Sequence, residues 1–588
     1  MASFLNERLS CVPKHSFVGL MMENSLEFVT TLFALLMIGY KPLLLNIRLG
    51  SNLNQEIIER LNVKHIICDK DYQLNAKFIN VANFDYSLYK VDESIIIWED
   101  ELAITTSATS LNVKICVYDG SSICEQIKNT NKILKDNKMI KQQYDKAIKQ
   151  LAFLPFYHIF GLMATYFWFA FFGRRFVFLK DLSSDTILRT IKKHKVTHIF
   201  AVPMLWHQVY KAIIKEVEEQ DEKTKNKFYK GIKLSNKLQS IFPNLGLKIA
   251  SSLFKEVRTK VFGESIKFMI SGGSYIYKEA IEVMNGIGYP LFNGYGMSEI
   301  GITSVELSKY PNKRNLVSIG KPFEKVEYLI NEEGVLLVKS LGICKRIITK
   351  DQDLLIDRNN YFNTNDYATS EKDGRYYIVG RLDDVVLTPN GEKINPDMIE
   401  KILSFSSIER YSILGLSKNI EKQLALVLEV NSNINQLKIN KLISELEENL
   451  HKLESLNYHL DQVYYTYDKI ASITAIKVSR KILNTWIENG KVKLEHISSL
   501  KEKKIIDLSD LELKISSDIK KIFGDVLNKA IDEIDLNSHF IFDLGGTSLE
   551  YLTLLVKLKE RFEVEFNKED KTCYTVIEFT TYLIEQVK

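Results

Sequence analysis

The sequence predicts an α/β protein that is followed by an all-helical segment. Strand-like runs at residues 17–22 and 65–68 alternate with helical runs at 25–38 and 54–61, and this alternation is typical of a parallel sheet covered by helices. A polar, lysine-rich stretch at residues 489–511 indicates a linker, and the pattern beyond it is purely helical.

Composition describes an ordinary globular chain of several domains. Among 588 residues, 45% are hydrophobic, 78 are Lys or Arg and 74 are Asp or Glu, which gives a formal net charge of +4. No long basic run is interleaved with aromatic residues, so nucleic acid is not implied as a partner. The apolar run at residues 28–40 is shorter than the about 20 residues that span a bilayer, and it indicates a buried helix. The apolar zone at 151–179 is interrupted by Pro155 and Gly161, so it favours a core segment over a transmembrane one.

The cysteines are scattered without any Cys-x-x-Cys pair, so neither a disulfide framework nor a zinc site is indicated. We therefore expect a reducing, cytoplasmic location. Glu7 and Arg8 precede any apolar stretch, and the start of the chain does not resemble a signal peptide. The six cysteines are Cys11, Cys68, Cys116, Cys124, Cys344 and Cys573.

The most informative motif is Asn-Gly-Tyr-Gly-Met-Ser-Glu at residues 293–299, after a strand-like run at 289–292. Its two glycines let the backbone turn sharply and approach a ligand closely. The ring of Tyr295 can cover a purine, the hydroxyl of Ser298 can bond a phosphate oxygen, and the carboxylate of Glu299 can hold a hard cation. The alternative is a polar loop after a buried strand.

Residues 105–114 form a hydroxyl-rich segment that ends in Lys114. Hydroxyls bond phosphate oxygens and the ammonium group supplies positive charge, so the segment is a candidate phosphate-binding loop. Taken alone, this composition is more typical of a solvated turn.

His158 lies in an apolar loop that is bounded by Pro155 and Gly161. A single histidine among aromatic residues is usually a satisfied core residue, so a role near a substrate carboxylate needs support from elsewhere. Buried strands are predicted at 196–203 and 267–271.

The second of these strands runs into Gly272, Gly273 and Ser274. Strands that end in glycine-rich loops are where open α/β sheets bind ligands. Hairpin strands are then predicted at 318–322 and 334–340, so the sheet type changes in this part of the chain.

Two further polar residues are candidates for nucleotide binding. Asp366 can accept hydrogen bonds from ribose hydroxyls, and Arg381 can donate to ribose or phosphate. The alternative is a surface ion pair. Asn390 and Gly391 give a strong hairpin-turn signal.

A small α/β unit is predicted from residue 398 to residue 467, and it closes on a loop of small and apolar residues around Lys477. Past the linker, Thr575 and Glu578 form a capping box ahead of the last helix. The apolar residues that fall at helical spacing before it are Ile515, Ile519, Ile522, Phe523 and Val526.

Residues 543–549, Asp-Leu-Gly-Gly-Thr-Ser-Leu, resemble the phosphopantetheine attachment site of acyl and peptidyl carrier domains. The glycines place Ser548 at the start of a helix, where free backbone N–H groups and the helix dipole favour a phosphodiester. The resemblance implies that Ser548 carries a 4′-phosphopantetheine cofactor.

The rest of the chain, from about residue 16 to residue 483, resembles the adenylate-forming superfamily of acyl-CoA synthetases, luciferases and peptide synthetase adenylation domains. The motifs occur here in family order, which is a stronger argument than any one of them. The resemblance implies a large adenylation domain with layered sheets, a mobile α/β lid, a linker and a four-helix-bundle carrier domain, at residues 1–382, 383–488, 489–511 and 512–588.

The resemblance also implies roles for single residues. Tyr295 lies against adenine, Asn293 helps to read its edge, and Glu299 holds Mg²⁺. The implied nucleotide-binding set is Thr106, Ser107, Thr109, Ser110, Lys114, Gly273, Ser274, Asn293, Tyr295, Gly296, Ser298, Asp366 and Arg381.

Four residues are implied in the chemistry and in the motion of the lid. Lys477 bridges the substrate carboxylate and the α-phosphate of ATP, with His158 near that carboxylate. Asp383 is the pivot on which the lid turns between adenylation and thioester formation, and Gly391 lines the path of the pantetheine arm.

The sequence departs from the family at several backbone positions. Ala108, Leu111 and Val113 replace the two glycines and the proline of the phosphate loop. Asn365 replaces a glycine before Asp366, which is mild because Asn tolerates a positive φ. The lysine often seen after the hinge is Leu387, and Ile476 replaces the glycine before Lys477.

These observations favour an acid–thiol ligase that adenylates a carboxylic acid with ATP and Mg²⁺ and loads it onto its own carrier. The alternatives are a carrier and docking protein with a decayed adenylation fold that is acylated in trans, and an acyl-CoA ligase. Amino-acid adenylation domains tend to carry an Asp in the region of residues 155–161, and this chain has none there. A fatty or aryl acid without an α-amino group is therefore favoured.

The expected partners are a small carboxylic acid, a phosphopantetheinyl transferase and a downstream enzyme that accepts the acyl group in trans.

Overall fold

The computed structural model describes residues 1–588 apart from 91, 107–112, 130–132, 134–147, 388–392, 409, 419–420, 433, 435, 457, 459, 472–477, 498–509, 528, 537–539, 541–543, 545–547, 565–572, 574 and 588. The chain divides into two compact units, Met1–Asp181 with Thr186–Ile378 and Leu182–Asp185 with Val379–Lys588. The second unit resumes at Val379, close to residue 383, where the lid is predicted to begin.

Eight strands form the first sheet of the first unit: β1 Phe17–Met21, β2 Lys41–Leu44, β3 His65–Cys68, β4 Lys77–Asn80, β5 Leu102–Thr105, β6 Ile115–Tyr118, β16 Arg346–Ile348 and β17 Asp353–Leu355. Their order is β17-β16-β6-β5-β2-β1-β3-β4. Pairs among β1 to β5 are parallel, and the pairs that involve β6 or β16 are antiparallel. The predicted parallel sheet at the start of the chain is confirmed.

Seven strands form the second sheet: β7 Lys149–Leu151, β8 Arg175–Val177, β9 His198–Ala201, β10 Phe268–Ser271, β11 Leu291–Met297, β12 Gly301–Val305 and β13 Lys321–Pro322. Their order is β13-β12-β11-β10-β9-β7-β8. The pairs among β7 to β11 are parallel, and the pairs that involve β12 are antiparallel. In this register Ser271, the last residue of β10, lies beside Asn293, and β11 continues beyond this point to Met297.

A third sheet contains β14 Glu327–Ile330, β15 Val335–Lys339, β18 Phe362–Ser370 and β19 Tyr376–Arg381, in that order. The hairpin strand predicted at 334–340 is confirmed as β15, which pairs antiparallel with β14, and the strand predicted at 318–322 contributes only the two-residue β13, which pairs antiparallel with β12 in the second sheet. The turn that decides this pairing is local: the side chain of Asn331 accepts from the backbone N–H of Glu333 and of Val335.

The helices up to residue 378 are α1 Ala2–Arg8, α2 Leu26–Met37, α3 Ser51–Arg60, α4 Gly120–Lys128, α5 Trp168–Ala170, α6 Ser184–His194, α7 Pro203–Glu218, α8 Glu222–Ile241, α9 Pro243–Leu253, α10 Lys255–Lys260, α11 Lys278–Gly286 and α12 Pro311–Arg314. The helices predicted at residues 25–38 and 54–61 correspond to α2 and α3.

The apolar zone at residues 151–179 is a core segment, as predicted. A π-helix, Phe160–Phe167, continues into α5, and the buried Trp168 donates from Nε1 to the carbonyl of Gln126 at 3.0 Å. Across the described part of the chain, no helix has the length and apolar character needed to cross a membrane.

The second unit begins with a small α/β region. Its strands are β20 Val386–Leu387, β21 Lys393–Ile394, β22 Tyr411–Lys418, β23 Glu421–Glu429, β24 Gln462–Thr466 and β25 Glu495–His496, and its helices are α13 Pro396–Glu400, α14 Gln436–Glu454 and α15 Arg480–Glu488. Strands β22 to β25 form one sheet in chain order. Because β25 pairs with β24, residues 495–496 belong to this sheet and not to the predicted linker; a two-residue edge strand leaves no apolar periodicity to detect.

The C-terminal segment is helical, as predicted. It contains α16 Asp510–Leu527, a 3₁₀ turn at Ile531–Glu533, α17 Ser548–Phe562 and α18 Val576–Val587. Ile519 and Phe523 of α16 are buried in its core. The predicted capping box is confirmed, since the side chains of Thr575 and Glu578 accept from each other's backbone N–H groups at 3.2 and 3.0 Å. The predicted α/β fold with a helical carrier-type segment therefore holds.

Candidate functional site

The Asn-Gly-Tyr-Gly-Met-Ser-Glu motif lies on a hairpin and not on a loop alone. Strand β11 runs through Met297, and the chain turns only after it to begin β12 at Gly301. A Cβ at Gly296 would lie 2.2 Å from the carbonyl oxygen of Gly301, so the close approach of the two strands requires glycine there. The sharp turn that the sequence predicted at the two motif glycines is therefore wrong. Both glycines lie within β11, and Gly296 allows β11 to pack closely against β12.

Tyr295 and Asp366 lie together at this edge. The Tyr295 hydroxyl donates to Oδ2 of Asp366 at 2.5 Å, and the backbone N–H of Asp366 donates to Oγ1 of Thr364 at 3.1 Å. Burial, followed by the charge of Asp366, raises the pKa of Tyr295 well above its ordinary value. Asn365, between Thr364 and Asp366, has a φ of +58°, the conformation that the sequence predicted Asn would tolerate.

Lys114 and Glu299 also meet. Nζ of Lys114 lies 2.8 Å from Oε1 of Glu299, whose side chain is almost fully buried. The base of the hydroxyl-rich segment is closed by two hydrogen bonds, from Thr106 N to the Lys114 carbonyl at 2.9 Å and from Lys114 N to Oγ1 of Thr106 at 3.1 Å. The segment thus begins at the end of β5 and finishes at the start of β6, where Lys114 lies beside Glu299. Ser107, Thr109 and Ser110 lie outside the described residues.

His158 occupies the turn before the π-helix. Burial lowers the pKa of His158 to about 4, assisted by the positive charge of Arg48, so the imidazole is neutral near pH 7. Glycine is required at Gly161, at the start of the π-helix, because a Cβ there would lie 2.0 Å from the carbonyl oxygen of Pro155.

The Gly-Gly-Ser turn joins this arrangement. Gly273 has a φ of +89°, which favours glycine. A Cβ at Gly272 would lie 3.0 Å from Cε1 of Phe160 and 3.4 Å from the carbonyl oxygen of Gly294. The turn with Gly273 and Ser274, the start of the π-helix and strand β11 therefore meet at one place.

Asn293 is nearly buried, and its amide nitrogen donates to the backbone carbonyls of Ser318 and Val317 at 3.1 and 3.3 Å. The backbone carbonyl of Ser298 accepts from the hydroxyl of Tyr118 at 2.9 Å. Asn293 and Tyr295 therefore lie on β11, and Ser298 and Glu299 lie in the turn that follows it.

Other predicted site residues are placed only in part or not at all. Arg381 ends β19, and Asp383 lies in the 3₁₀ turn Leu382–Asp384, both within the second unit. Ser548 is the first residue of α17. Lys477 and Gly391 lie outside the described residues.

Sequence reasoning missed Asn24, which holds the His158 turn. Its amide nitrogen donates to the carbonyls of Leu154 and Ala152 at 2.7 and 3.1 Å, and its Oδ1 accepts from the backbone N–H of Phe156 at 2.8 Å. A single asparagine between a strand and a helix carries no signal that would have identified it.

Arg480, beside the predicted catalytic Lys477 in sequence, was also missed. Its buried guanidinium lies 2.7 Å from Asp384 and 2.6 Å from both Asp397 and Glu400. Burial alone would lower the pKa of Arg480, but these carboxylates raise it above its ordinary value. The sequence did contain a signal for this ion cluster: two adjacent aspartates at positions 383 and 384 of the hinge motif, and an arginine three residues after Lys477.

Comparison with known proteins decides the family. Residues 1–340 match the family described as AMP-binding enzyme. The chain belongs to that family. Residues 517–583 match the phosphopantetheine attachment site, so this AMP-binding enzyme also contains a carrier-type segment.

Curated relatives of this AMP-binding enzyme are CoA ligases. It is 23% identical over 269 residues to long-chain-fatty-acid–CoA ligase 1 of Saccharomyces cerevisiae, covering 43% of this chain but only 38% of the relative. It is 21% identical over 438 residues to a 2-succinylbenzoate–CoA ligase of Bacillus cereus, covering 71% of this chain and 78% of the relative. The predicted class of acid–thiol ligases agrees with these names.

Solved structures support the fold. The o-succinylbenzoate CoA synthetase of Bacillus subtilis with its acyl-adenylate intermediate has a TM-score of 0.61 at 18% identity, with 86% of this chain and 91% of that chain covered. Its complex with ATP and magnesium ion has a TM-score of 0.60 at 18% identity, with 82% and 91% covered. The predicted cofactors ATP, Mg²⁺ and 4′-phosphopantetheine agree with this complex and with the phosphopantetheine match.

Proposed function

We propose that the protein activates a carboxylic acid with ATP as an acyl adenylate and loads the acyl group onto the phosphopantetheine thiol at its own Ser548. The observation that carries this proposal is the presence of an AMP-binding region and a phosphopantetheine attachment segment in one chain. A thiol tethered to the same chain has a high effective concentration, so free CoA is not required as the acceptor.

The reaction has two steps. A carboxylate oxygen forms a bond to the α-phosphorus of ATP, and the bond from that phosphorus to pyrophosphate breaks. The acyl carbon then exchanges its bond to the AMP oxygen for a bond to the thiol sulfur, and the thiol proton passes to solvent. AMP makes the carboxylate a good acyl donor, and cationic groups offset the charge of the phosphoryl transition state.

The nucleoside is proposed to lie against the edge that holds Tyr295. The ring of Tyr295 covers adenine, and Asp366 accepts from the ribose hydroxyls, aided by Arg381. The 2.5 Å bond between Tyr295 and Asp366 supports a shared role. Because the amide nitrogen of Asn293 already donates to the backbone, its oxygen is the atom that reads the adenine edge.

The phosphates are proposed to lie near Lys114 and Glu299. Glu299 fits Mg²⁺, a hard cation that proteins usually hold through one or two carboxylates together with substrate phosphates. When bound, this cation would neutralise phosphate charge. The phosphate contacts come from Thr106, Ser107, Thr109, Ser110, Lys114 and Ser298, and the nucleotide-binding set also includes Gly273, Ser274 and Gly296.

Lys477 is proposed to bridge the acid carboxylate and the α-phosphate, with the neutral His158 near the carboxylate. Asp383 acts as the pivot of a lid at residues 383–488, and Gly391 lines the pantetheine path. These roles rest on the order of the motifs in the chain.

The acid is proposed to be fatty or aryl and to lack an α-amino group. Residues 155–161 contain no aspartate that would pair with an ammonium group. The two relatives are named for long-chain fatty acid and for 2-succinylbenzoate, which agrees with this class.

The proposed partners in trans are a phosphopantetheinyl transferase, which modifies Ser548, and a downstream enzyme that accepts the acyl group. The proposed location is cytoplasmic, because the cysteines are scattered along the sequence without any Cys-x-x-Cys pair.

Acid-dependent exchange of labelled pyrophosphate into ATP tests the activation step. We expect exchange in the wild type and its loss in Lys477→Ala. Lys481→Ala, four residues further on and exposed, is the matched control and should retain exchange. Exchange that persists in Lys477→Ala would refute the role of that lysine.

A second candidate function is a carrier and docking protein that is acylated in trans. The observation that favours it is the replacement of loop glycines by Ala108 and Leu111 and of a proline by Val113, since a stiffer loop cradles pyrophosphate less well. Calorimetric titration distinguishes the two: tight Mg²⁺-dependent ATP binding supports the ligase, and its absence supports the carrier. Comparing CoA with the carrier as acceptor separates the acyl-CoA ligase alternative.

A further inference from the structure

Helices α8 and α9 form an antiparallel hairpin in the first unit. A Cβ at Gly246 would lie 2.5 Å from the backbone nitrogen of Gln239, and a Cβ at Gly231 would lie 3.1 Å from the ring of Phe254. These contacts bring residue 239 beside 246 and residue 231 beside 254. The two helices therefore lie side by side along the whole of α9.

One side of this hairpin is anchored to α11. Oγ of Ser235 donates to the carbonyl of Gly286 at 2.6 Å, and Nε2 of Gln239 donates to the carbonyl of Asn285 at 2.8 Å. Phe228 and Ile232 of α8 are buried in the apolar core beneath it. The hairpin is thus held firmly from one side.

The hairpin also carries an exposed apolar stripe. Phe242 and Leu245 are 59% and 58% exposed, and on α9 Leu245, Ile249 and Leu253 recur every four residues, which puts them on one helical face. Single exposed apolar residues are common, whereas a continuous group marks an interaction surface. The stripe consists of Leu234, Ile241, Phe242, Leu245, Ile249 and Leu253.

The surroundings of the stripe are strongly basic. Residues 222–253 contain seven lysines and one acidic residue, Glu222, which gives the hairpin a formal charge of +6. Within the described residues, six of these lysines make no ion pair, and all six are exposed: Lys223, Lys227, Lys230, Lys233, Lys237 and Lys248. Apolar side chains flanked by lysines match an anionic lipid surface, where the former enter the acyl boundary and the ammonium groups stay at the level of the headgroups.

We propose that this hairpin docks the protein on membranes that contain anionic lipid, lying in the interface without crossing the bilayer. Self-association through the same stripe is disfavoured, because it would place one set of lysines against another. The inference is independent of the adenylation chemistry and is tested by lipid binding alone.

Co-sedimentation of the full-length protein with phosphatidylcholine vesicles, with and without phosphatidylglycerol, tests the proposal. We expect binding that requires phosphatidylglycerol and weakens as salt is raised. The triple variant Phe242→Ser, Leu245→Ser, Ile249→Ser should lower vesicle partitioning by at least about tenfold, because it removes the apolar contribution. Leu355→Ser changes an equally apolar and more exposed residue on β17, and it should bind as the wild type does.

A second variant, with Lys230, Lys237 and Lys248 changed to Gln, keeps the stripe and should reduce both binding and its salt dependence. Failure of the wild type to bind anionic vesicles would overturn the proposal. It would also be overturned if both variants bound as the wild type does. Light scattering that shows a dimer in the wild type and a monomer in the serine variant would assign the stripe to a second copy instead. None of these readouts depends on activity, so they leave the proposed ligase function untouched.

Discussion

Lys114 reaches from the surface to a nearly buried carboxylate, with its Nζ 2.8 Å from Oε1 of Glu299. The side chain of Lys114 is 42% exposed and that of Glu299 only 4%. A buried carboxylate without a cationic partner is costly, so the lysine stabilises Glu299 in the free protein. We expect a magnesium nucleotide to take over this carboxylate and to leave the ammonium group for phosphate.

Glu299→Gln should reduce acid-dependent pyrophosphate exchange by at least about 100-fold, because it removes charge that faces the phosphates and the cation. The matched control is Glu101→Gln. Glu101 accepts from Lys41 and Lys345 at 2.6 Å in the same unit and has no proposed role in catalysis. Exchange within a few-fold of the wild type in Glu299→Gln would contradict the assignment.

Tyr295→Phe removes the hydroxyl that donates to Asp366 and keeps the ring. It should weaken ATP binding only modestly, by about threefold to tenfold, the value of one lost hydrogen bond. Tyr295→Ala also removes the ring and should weaken it further. Isothermal titration with Mg-ATP compares the two variants. Equal losses in both would show that the ring does not contact the base.

Acidification should destabilise the fold through one buried and two half-buried histidines. Burial lowers the pKa of His158 and of His207 to about 4 and that of His198 to about 3, from an ordinary 6.5. Between pH 6.5 and about 4 the unfolded chain binds more protons at these rings than the folded chain does, so stability falls as the pH falls through this window.

The urea midpoint of the wild type should therefore decrease from pH 7 to pH 5. Replacing His198 with Gln should flatten that dependence, because the variant no longer has a buried ring that takes up a proton on unfolding. A midpoint that is independent of pH in this range would contradict the burial of these rings.

Arg480→Ala leaves Asp384, Asp397 and Glu400 without the guanidinium they share. Removing one partner of a buried ion cluster costs about 3–5 kcal/mol, so local opening of the small α/β region around Arg480 should become at least about 100-fold more frequent. Amide hydrogen exchange at residues 411–416 of the full-length chain measures this opening. Lys469→Ala, which breaks the 2.8 Å pair with Glu429 in the same sheet region, should have a much smaller effect, because Lys469 is more exposed than Arg480. Similar exchange in both variants would contradict the proposed anchoring.

The sequence predicts the parts of this fold that rest on repeated local patterns. The alternation before residue 69 predicts the parallel strands β1 and β3, because buried parallel strands are short apolar runs separated by helices, whereas β2 was not predicted. The capping box of Thr575 and Glu578 is equally local. Motif order indicates that Tyr295 and Asp366 serve one site, and the structure places their side chains 2.5 Å apart.

Long-range and backbone-specific features were not predictable in this way. Strand β11 continues through Gly294 and Gly296, although glycine usually weakens a strand, because its close contact with β12 leaves no room for a side chain at Gly296. The pairing of β15 with β14 depends on one Asn331 turn. Asn24 stabilises the turn that contains His158, although residues 24 and 158 lie 134 positions apart in the sequence. No periodic pattern in the sequence predicts such a contact.

The most direct test of the ligase account is intact-protein mass spectrometry of the pantetheinylated chain after incubation with Mg-ATP and a mixed panel of fatty, aryl and amino acids. The account predicts a discrete mass gain from a fatty or aryl acid, carried on Ser548 and absent in Ser548→Ala. No gain with any acid, with pantetheine confirmed in place and Mg-ATP binding undetectable, would contradict it.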